Sequence, residues 1–132
     1  MIGEKNLEML LNSMSPELMD EEYVFCTFQG AQYGEYAELE PVVAVFESEG
    51  LTLVIPKSKA DDNGFEYESV FRQITLSVHS SLDAIGLTAA FSAKLTEHGI
   101  SANVIAGYYH DHIFVQRGFA EKSIDALKEF AG

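Results

Sequence analysis

The sequence predicts an α+β fold made of two pseudo-repeated lobes. Each lobe follows the ferredoxin-like β-α-β-β-α-β pattern with an antiparallel sheet. Three observations predict this. Residues 71–131 spell strand, helix, strand, strand, helix, one strand short of the pattern. Residues 1–70 follow the same grammar begun one element late: helix, three strands, helix, strand. The 132 residues are 47% hydrophobic, including 9 Phe and 6 Tyr, which suits one packed domain or two small lobes sharing a core and excludes a disordered chain. The boundary falls at Val70, giving an N-terminal lobe over 1–70 and a C-terminal one over 71–132.

In the first half, Leu7, Leu10, Leu11 and Met14 recur at i, i+3, i+4 and i+7, one stripe of a helix. Ser15-Pro16 ends it, because a residue before proline is pushed out of the helical region. Tyr23–Phe28 is aromatic and β-branched and reads as a strand. Gln29–Pro41, with two glycines and three glutamates, reads as a polar loop, a candidate lid or partner surface if not simply solvated. Val42–Phe46 and Leu51–Ile55 flank Glu47-Ser48-Glu49-Gly50 and predict a hairpin. Pro56 opens a short helix over Lys57–Asn63, closed by Gly64. Phe65, Tyr67 and Ser69 alternate with Glu66, Glu68 and Val70, as an extended segment does.

In the second half, Ile74, Leu76 and Val78 alternate with Gln73, Thr75 and Ser77, predicting a strand with one buried face. Ser80, Ser81 and Asp83 are N-cap candidates for a helix carrying Leu87, Ala90, Phe91 and Leu95 and capped by Gly99. Ile100–Ala106 and His110–Val115 read as strands around a Gly107–Tyr109 turn. Phe119–Phe130 reads as a helix with Phe119, Ile124, Leu127 and Phe130 as its apolar face. The missing closing strand leaves an open sheet edge, which the first lobe or a second subunit must cover.

Charge narrows the partners. Residues 1–70 hold 15 acids and 3 bases, residues 71–132 hold 6 and 5, and the whole chain carries −13. Such a surface repels phosphate backbones and anionic lipid, so nucleic acid and membrane are excluded as expected partners. The nearly neutral second half is the expected self-associating surface. No apolar run reaches the ~18–20 residues of a membrane span, and the start lacks a signal-peptide pattern, so a cytoplasmic location is expected. One cysteine, Cys26, makes neither an internal disulfide nor a zinc cluster; it reads as a buried, inert thiol.

Three stretches are recognisable together: Phe71–Leu76, His79–Phe91 and Gly99–Val115, the last beginning Gly99-Ile100-Ser101 and ending Asp111-His112-Ile113-Phe114-Val115. They resemble an ACT domain, most of all a small bacterial tandem-ACT family without assigned activity. The phrase from Gly99 to Val115 also resembles the ACT half of the cytosolic arginine-sensor family. Tyr23–Cys26 and Glu49–Val54 are similar to the N-terminal lobe of the bacterial family. The resemblance implies a regulatory module that binds an amino acid or similar metabolite at a seam between two domains, without catalysis. It further implies a homo-oligomer and, at this length, a regulated partner on a separate protein. No cofactor is expected.

The site expectation combines residues and resemblance. Free N–H groups at a helix start hold a carboxylate, and the resemblance turns the Ser80–Gly86 loop toward the ligand; plain capping by Ser80, Ser81 or Asp83 is the alternative. Gly86 lets a ligand or a second backbone come close. Asn103 and Ile105 share a strand face, with Asn103 offering donor and acceptor or serving as an interface amide. The resemblance to the arginine sensors sets Asp111 facing the ligand, where it would pair with a cationic group; a solvated turn residue is the alternative. Ala106-Gly107-Tyr108 departs from the sensor pattern, which argues against arginine itself. His110 and His112 are too few for a closed metal site. Two other classes stay open: a structural oligomerisation module that has lost its ligand, and an enzyme using His110, Asp111 and His112.

Overall fold

The computed structural model describes residues 7–77 and 85–130. In chain order the elements are α1 (Leu7–Ser13), β1 (Pro16–Phe28), β2 (Val43–Glu47), β3 (Gly50–Pro56), α2 (Lys57–Asp62), β4 (Phe71–Leu76), α3 (Leu87–Glu97), β5 (Asn103–Ala106), β6 (Asp111–Gln116) and α4 (Ala120–Lys128). Short 3-10 turns occupy Ala37–Leu39 and Arg117–Phe119. The fold is α+β, with antiparallel ferredoxin-like lobes. The chain forms two compact units, one of Met1–Asp20 with Arg72–Gly132 and one of Glu21–Phe71.

The larger unit orders its strands β1-β4-β6-β5. The start of β1 therefore takes the place of the closing strand that the C-terminal pattern lacks. The Ser77 N–H donates to the Ser15 carbonyl at 2.9 Å, and Arg72 donates through Nε and an η nitrogen to the Met19 carbonyl at 3.0 and 2.7 Å. These contacts pair rising numbers on β4 with falling numbers on β1, an antiparallel register. The core unites Leu10 of α1, Met14 just after it, Ile74 and Leu76 of β4, Phe91 and Leu95 of α3, Ile113 and Val115 of β6 and Ile124 and Leu127 of α4. Helix α3 ends as its glycine predicts: Gly99 has φ 73°, Gly99 N–H reaches Thr96 O and Ile100 N–H reaches Leu95 O, closing the last turn.

The smaller unit orders its strands β2-β3-β1. The hairpin turns on Ser48-Glu49, with Glu47 opposite Gly50. No α-helix lies between β1 and β2 here, and residues 29–42 fill its place. Ala31 and Leu39 are buried in a core with Val24, Cys26, Leu51 and Leu53. Tyr36 stacks on Phe28 at 4.2 Å and meets Phe65 edge-on, an aromatic plug over the sheet. The polar loop of the sequence pattern thus carries core residues.

Four expectations are corrected. Strand β1 begins at Pro16 rather than Tyr23; its exposed Glu17, Asp20 and Glu21 mask the strand pattern. The helix over Ser80–Glu97 starts only at Leu87, with Gly86 at φ 91° as its N-cap, so none of Ser80, Ser81 and Asp83 occupies the cap position; those three lie outside the described residues. Strand β4 buries both faces, since Gln73 and Thr75 are 7% and 8% exposed. Phe119 is exposed in a 3-10 turn, and Ala120, Ser123 and Ala126 share the buried face of α4 with Ile124 and Leu127.

Candidate ligand-binding site

The larger unit brings several polar groups to one end of its sheet. Strand β4 leads toward α3, α3 runs back, and β5 is antiparallel to β6. With antiparallel neighbours throughout, β5 runs parallel to β4. The C-terminal end of β4, the N-terminus of α3, the end of β5 at Ala106 and the start of β6 at Asp111 consequently share an end. The Gly107 N–H closes the β5–β6 turn on the His110 carbonyl at 2.9 Å.

No described side chain caps α3, and its first intrahelical bond is from Ala90 N–H to the Gly86 carbonyl. The earlier N–H groups make the helix start partly positive. Glycine suits position 86 because its φ lies in the left-handed region; a Cβ there would also sit 3.2 Å from Leu7 Cδ2, so the Leu7 side chain would have to shift slightly. Ile85 beside it is 88% exposed, and Tyr108 and Tyr109, 68% and 61% exposed, meet edge-on at 5.0 Å in the turn.

Asp111 is half-buried opposite Ala106. Burial raises its carboxyl pKa above the ordinary value, against the pull of His112 and His110. His110 Nδ1 is buried with no hydrogen-bond partner among the described residues. His112 is turned to the other face, where its Nδ1 lies 3.0 Å from Gln73 Nε2 and 3.1 Å from Thr75 Oγ1. Among the described residues no group of three or more His, Cys, Asp or Glu is placed to hold a metal ion. Cys26 lies in the other unit, its thiol 3.6 Å from the Glu66 carbonyl and its pKa raised by burial.

The pleat divides the expected site residues. Asp111 pairs with Ala106 and Ile113 with Val104, on the side that packs into the core. Asn103 pairs with Phe114 and Ile105 with His112, on the opposite face. Asn103 is exposed and its Nδ2 donates to the Phe114 carbonyl at 3.3 Å; Ile105 is half-buried. Gly86 and Asp111 therefore share an end of the sheet, while Asn103 and Ile105 look away from the face Asp111 occupies. The Gln73–Thr75–His112 cluster escaped the sequence reading; the polar positions alternating with Ile74 and Leu76 were its one signal.

A family profile for the ACT domain matches residues 2–72, and a second ACT-domain profile matches residues 68–129. The chain belongs to the ACT-domain family. Its two ACT matches stand in tandem and meet at the start of β4. A Vibrio cholerae protein of unknown function, described as a possible transport protein, is 59% identical, covering 97% of this chain and 98% of its own, with TM-score 0.88. An Agrobacterium tumefaciens protein is 14% identical over 89% of each chain, with TM-score 0.74. The regulatory subunit of aspartate kinase from Thermus flavus is 10% identical, covering 90% of this chain and 97% of its own, with TM-score 0.64. The last two likenesses are of fold. No curated protein matches.

Proposed function

We propose that this tandem ACT chain is a non-catalytic regulatory module that binds a free amino acid, or a metabolite of the same shape, at the α3 end of the larger unit. The observation that carries the reading is the N-terminus of α3, which no side chain among the described residues caps, at the same sheet end as Asp111. The two supply opposite halves of an amino-acid head: N–H groups and dipole for the carboxylate, a carboxylate for the ammonium. His110 Nδ1, next to Asp111 in the chain, is buried without a hydrogen-bond partner among the described residues, which is uncommon for a buried polar group. Ser80, Ser81 and Asp83 precede Gly86 in the chain and belong to the proposed ligand loop. The functional division is the one drawn at Val70, with lobes over 1–70 and 71–132.

Self-association completes the proposal. Strand β5 ends the strand order, so a second copy beside it would bring Asn103 and Ile105 to the seam. Ligand occupancy would then shift assembly or docking to a separate regulated protein in the cytoplasm. No helix among the described residues is long and apolar enough to cross a membrane.

A thermal-shift screen of the standard amino acids tests the reading. A ligand at ~100-fold its dissociation constant stabilises by ~2.7 kcal/mol, a clear rise in unfolding temperature. No rise with any of them, from a folded oligomer, favours a structural module instead. Turnover that depends on His110 or Asp111 would favour the enzyme.

A further inference from the structure

A cluster of buried polar contacts in the larger unit lies outside the proposed ligand site. His112 Nδ1 faces two groups from one strand: the Gln73 amide nitrogen at 3.0 Å, which only donates, and the Thr75 hydroxyl at 3.1 Å, which donates or accepts. Both partners are more than nine-tenths buried. A nitrogen that accepts from the Gln73 amide carries no proton, so the neutral ring holds its proton on Nε2. That edge of the ring lies against the turn: a Cβ built on Gly107 would sit 3.2 Å from His112 Nε2 and 2.8 Å from the His110 carbonyl oxygen. The Gly107 N–H closes the turn on that same carbonyl.

We propose that neutral His112, clamped by Gln73 and Thr75, is a positioning residue that holds the Gly107–His110 turn, and that protonating it releases the turn. A proton on Nδ1 would face the Gln73 amide hydrogens and end the hydrogen bond it accepts from them. The buried amide would have to turn over, and the ring edge against Gly107 would move with it. The charges bearing on His112 are few among the described residues. Gln73 and Thr75 on β4 are uncharged, Ile105 opposite on β5 is apolar, and on its own strand His110 disfavours the imidazolium while Asp111 favours it. Burial is the largest influence and also disfavours the charge. The ring titrates below the ordinary histidine value, so the release comes in mild acid. The turn carries Tyr108 and Tyr109, so the device presents or withdraws their exposed rings.

The test needs no ligand and stands apart from the amino-acid reading. In an NMR titration of the full chain with nitrogen-15 histidine, His112 should show an unprotonated Nδ1 and a protonated Nε2 at neutral pH. Its midpoint should lie below about 6.5. The Gly107 and Tyr108 amide shifts should follow the same midpoint, and should still do so in His110→Asn. Gln73→Leu should raise the midpoint by removing a donor to the neutral ring. In His112→Gln the turn amides should lose the transition; should that variant not fold, Thr75→Val gives a raised midpoint as its substitute. A proton on Nδ1 at neutral pH, a midpoint at or above 6.5, or turn amides silent while His112 titrates would overturn the proposal.

Discussion

The two units share a strand arrangement and differ in what lies over it. In the larger unit, the crossover after the first strand of the repeat carries an eleven-residue helix, α3, whose N-terminus no side chain among the described residues caps. In the smaller unit the equivalent connection, residues 29–42, is a loop with a 3-10 turn, sealed by Tyr36 on Phe28 and Phe65. Two of its residues, Tyr36 and Glu40, sit at positive φ, 66° and 56°. A loop that accepts such strain at two non-glycine positions is fixed by packing. In the proposed reading the ligand site depends on the helix start and not on the sheet alone; the larger unit has that start, and the smaller unit has aromatic packing in its place.

The comparison breaks first on core energetics. Phe91→Ala in α3 should destabilise the protein by about 3–5 kcal/mol and Leu53→Ala in β3 by about 2–5 kcal/mol, read by urea unfolding. A negligible change for either would mean that unit does not rest on the core described. Gly86→Ala comes next. It adds a Cβ at left-handed φ and 3.2 Å from Leu7, so a loss of about 1–3 kcal/mol is expected, with weaker binding of any amino acid found in the screen. Gly34→Ala (φ 94°) in the smaller unit's loop, where a Cβ has open space, should cost stability without touching binding.

Asp111→Asn sharpens the contrast because two readouts should move in opposite directions. Removing a charge-assisted hydrogen bond should weaken amino-acid binding about tenfold or more by calorimetric titration. The unliganded protein should become more stable. Burial raises the Asp111 pKa, so the native state binds this proton more tightly than the unfolded chain. Its contribution therefore falls as pH rises from the unfolded value through the raised native one, and at neutral pH the buried carboxylate is a cost. The Asp111→Asn variant should lack that fall in its stability–pH curve. Equal affinities for wild type and variant would take Asp111 out of the site. The smallest effect is expected at the surface. Lys57 bonds Asp61 at 2.7 Å on exposed side chains, so Lys57→Met should leave the unfolding midpoint nearly unchanged.

Periodicity exposed most of the fold. The stripe of α1, the β2–β3 hairpin, the glycine that closes α3 and the β5–β6 hairpin are all local patterns, set by neighbours three or four residues away or by a turn. What stayed hidden depends on distant partners. The segment 16–20 is a strand because it closes the sheet beside β4, and its Glu17 and Asp20 are exposed, so no local alternation marks it. The second buried face of β4 is polar because His112, 37 residues beyond Thr75, supplies its hydrogen bonds. The sequence offers Asp111 and Gly86 separately as candidate site residues, and topology sets them at one end of the sheet. The pleat separates Asn103 and Ile105 from Asp111, and spacing alone did not reveal which face each would take.

The most direct test of the difference between the units is an amide chemical-shift map of the nitrogen-15-labelled chain, titrated with the amino acid that gives the largest thermal shift. The account predicts perturbations centred on residues 85–90 and 106–112, with residues 29–41 and 57–65 unmoved. Perturbations centred on the smaller unit's aromatic plug, or none from any amino acid at saturating concentration, would contradict it.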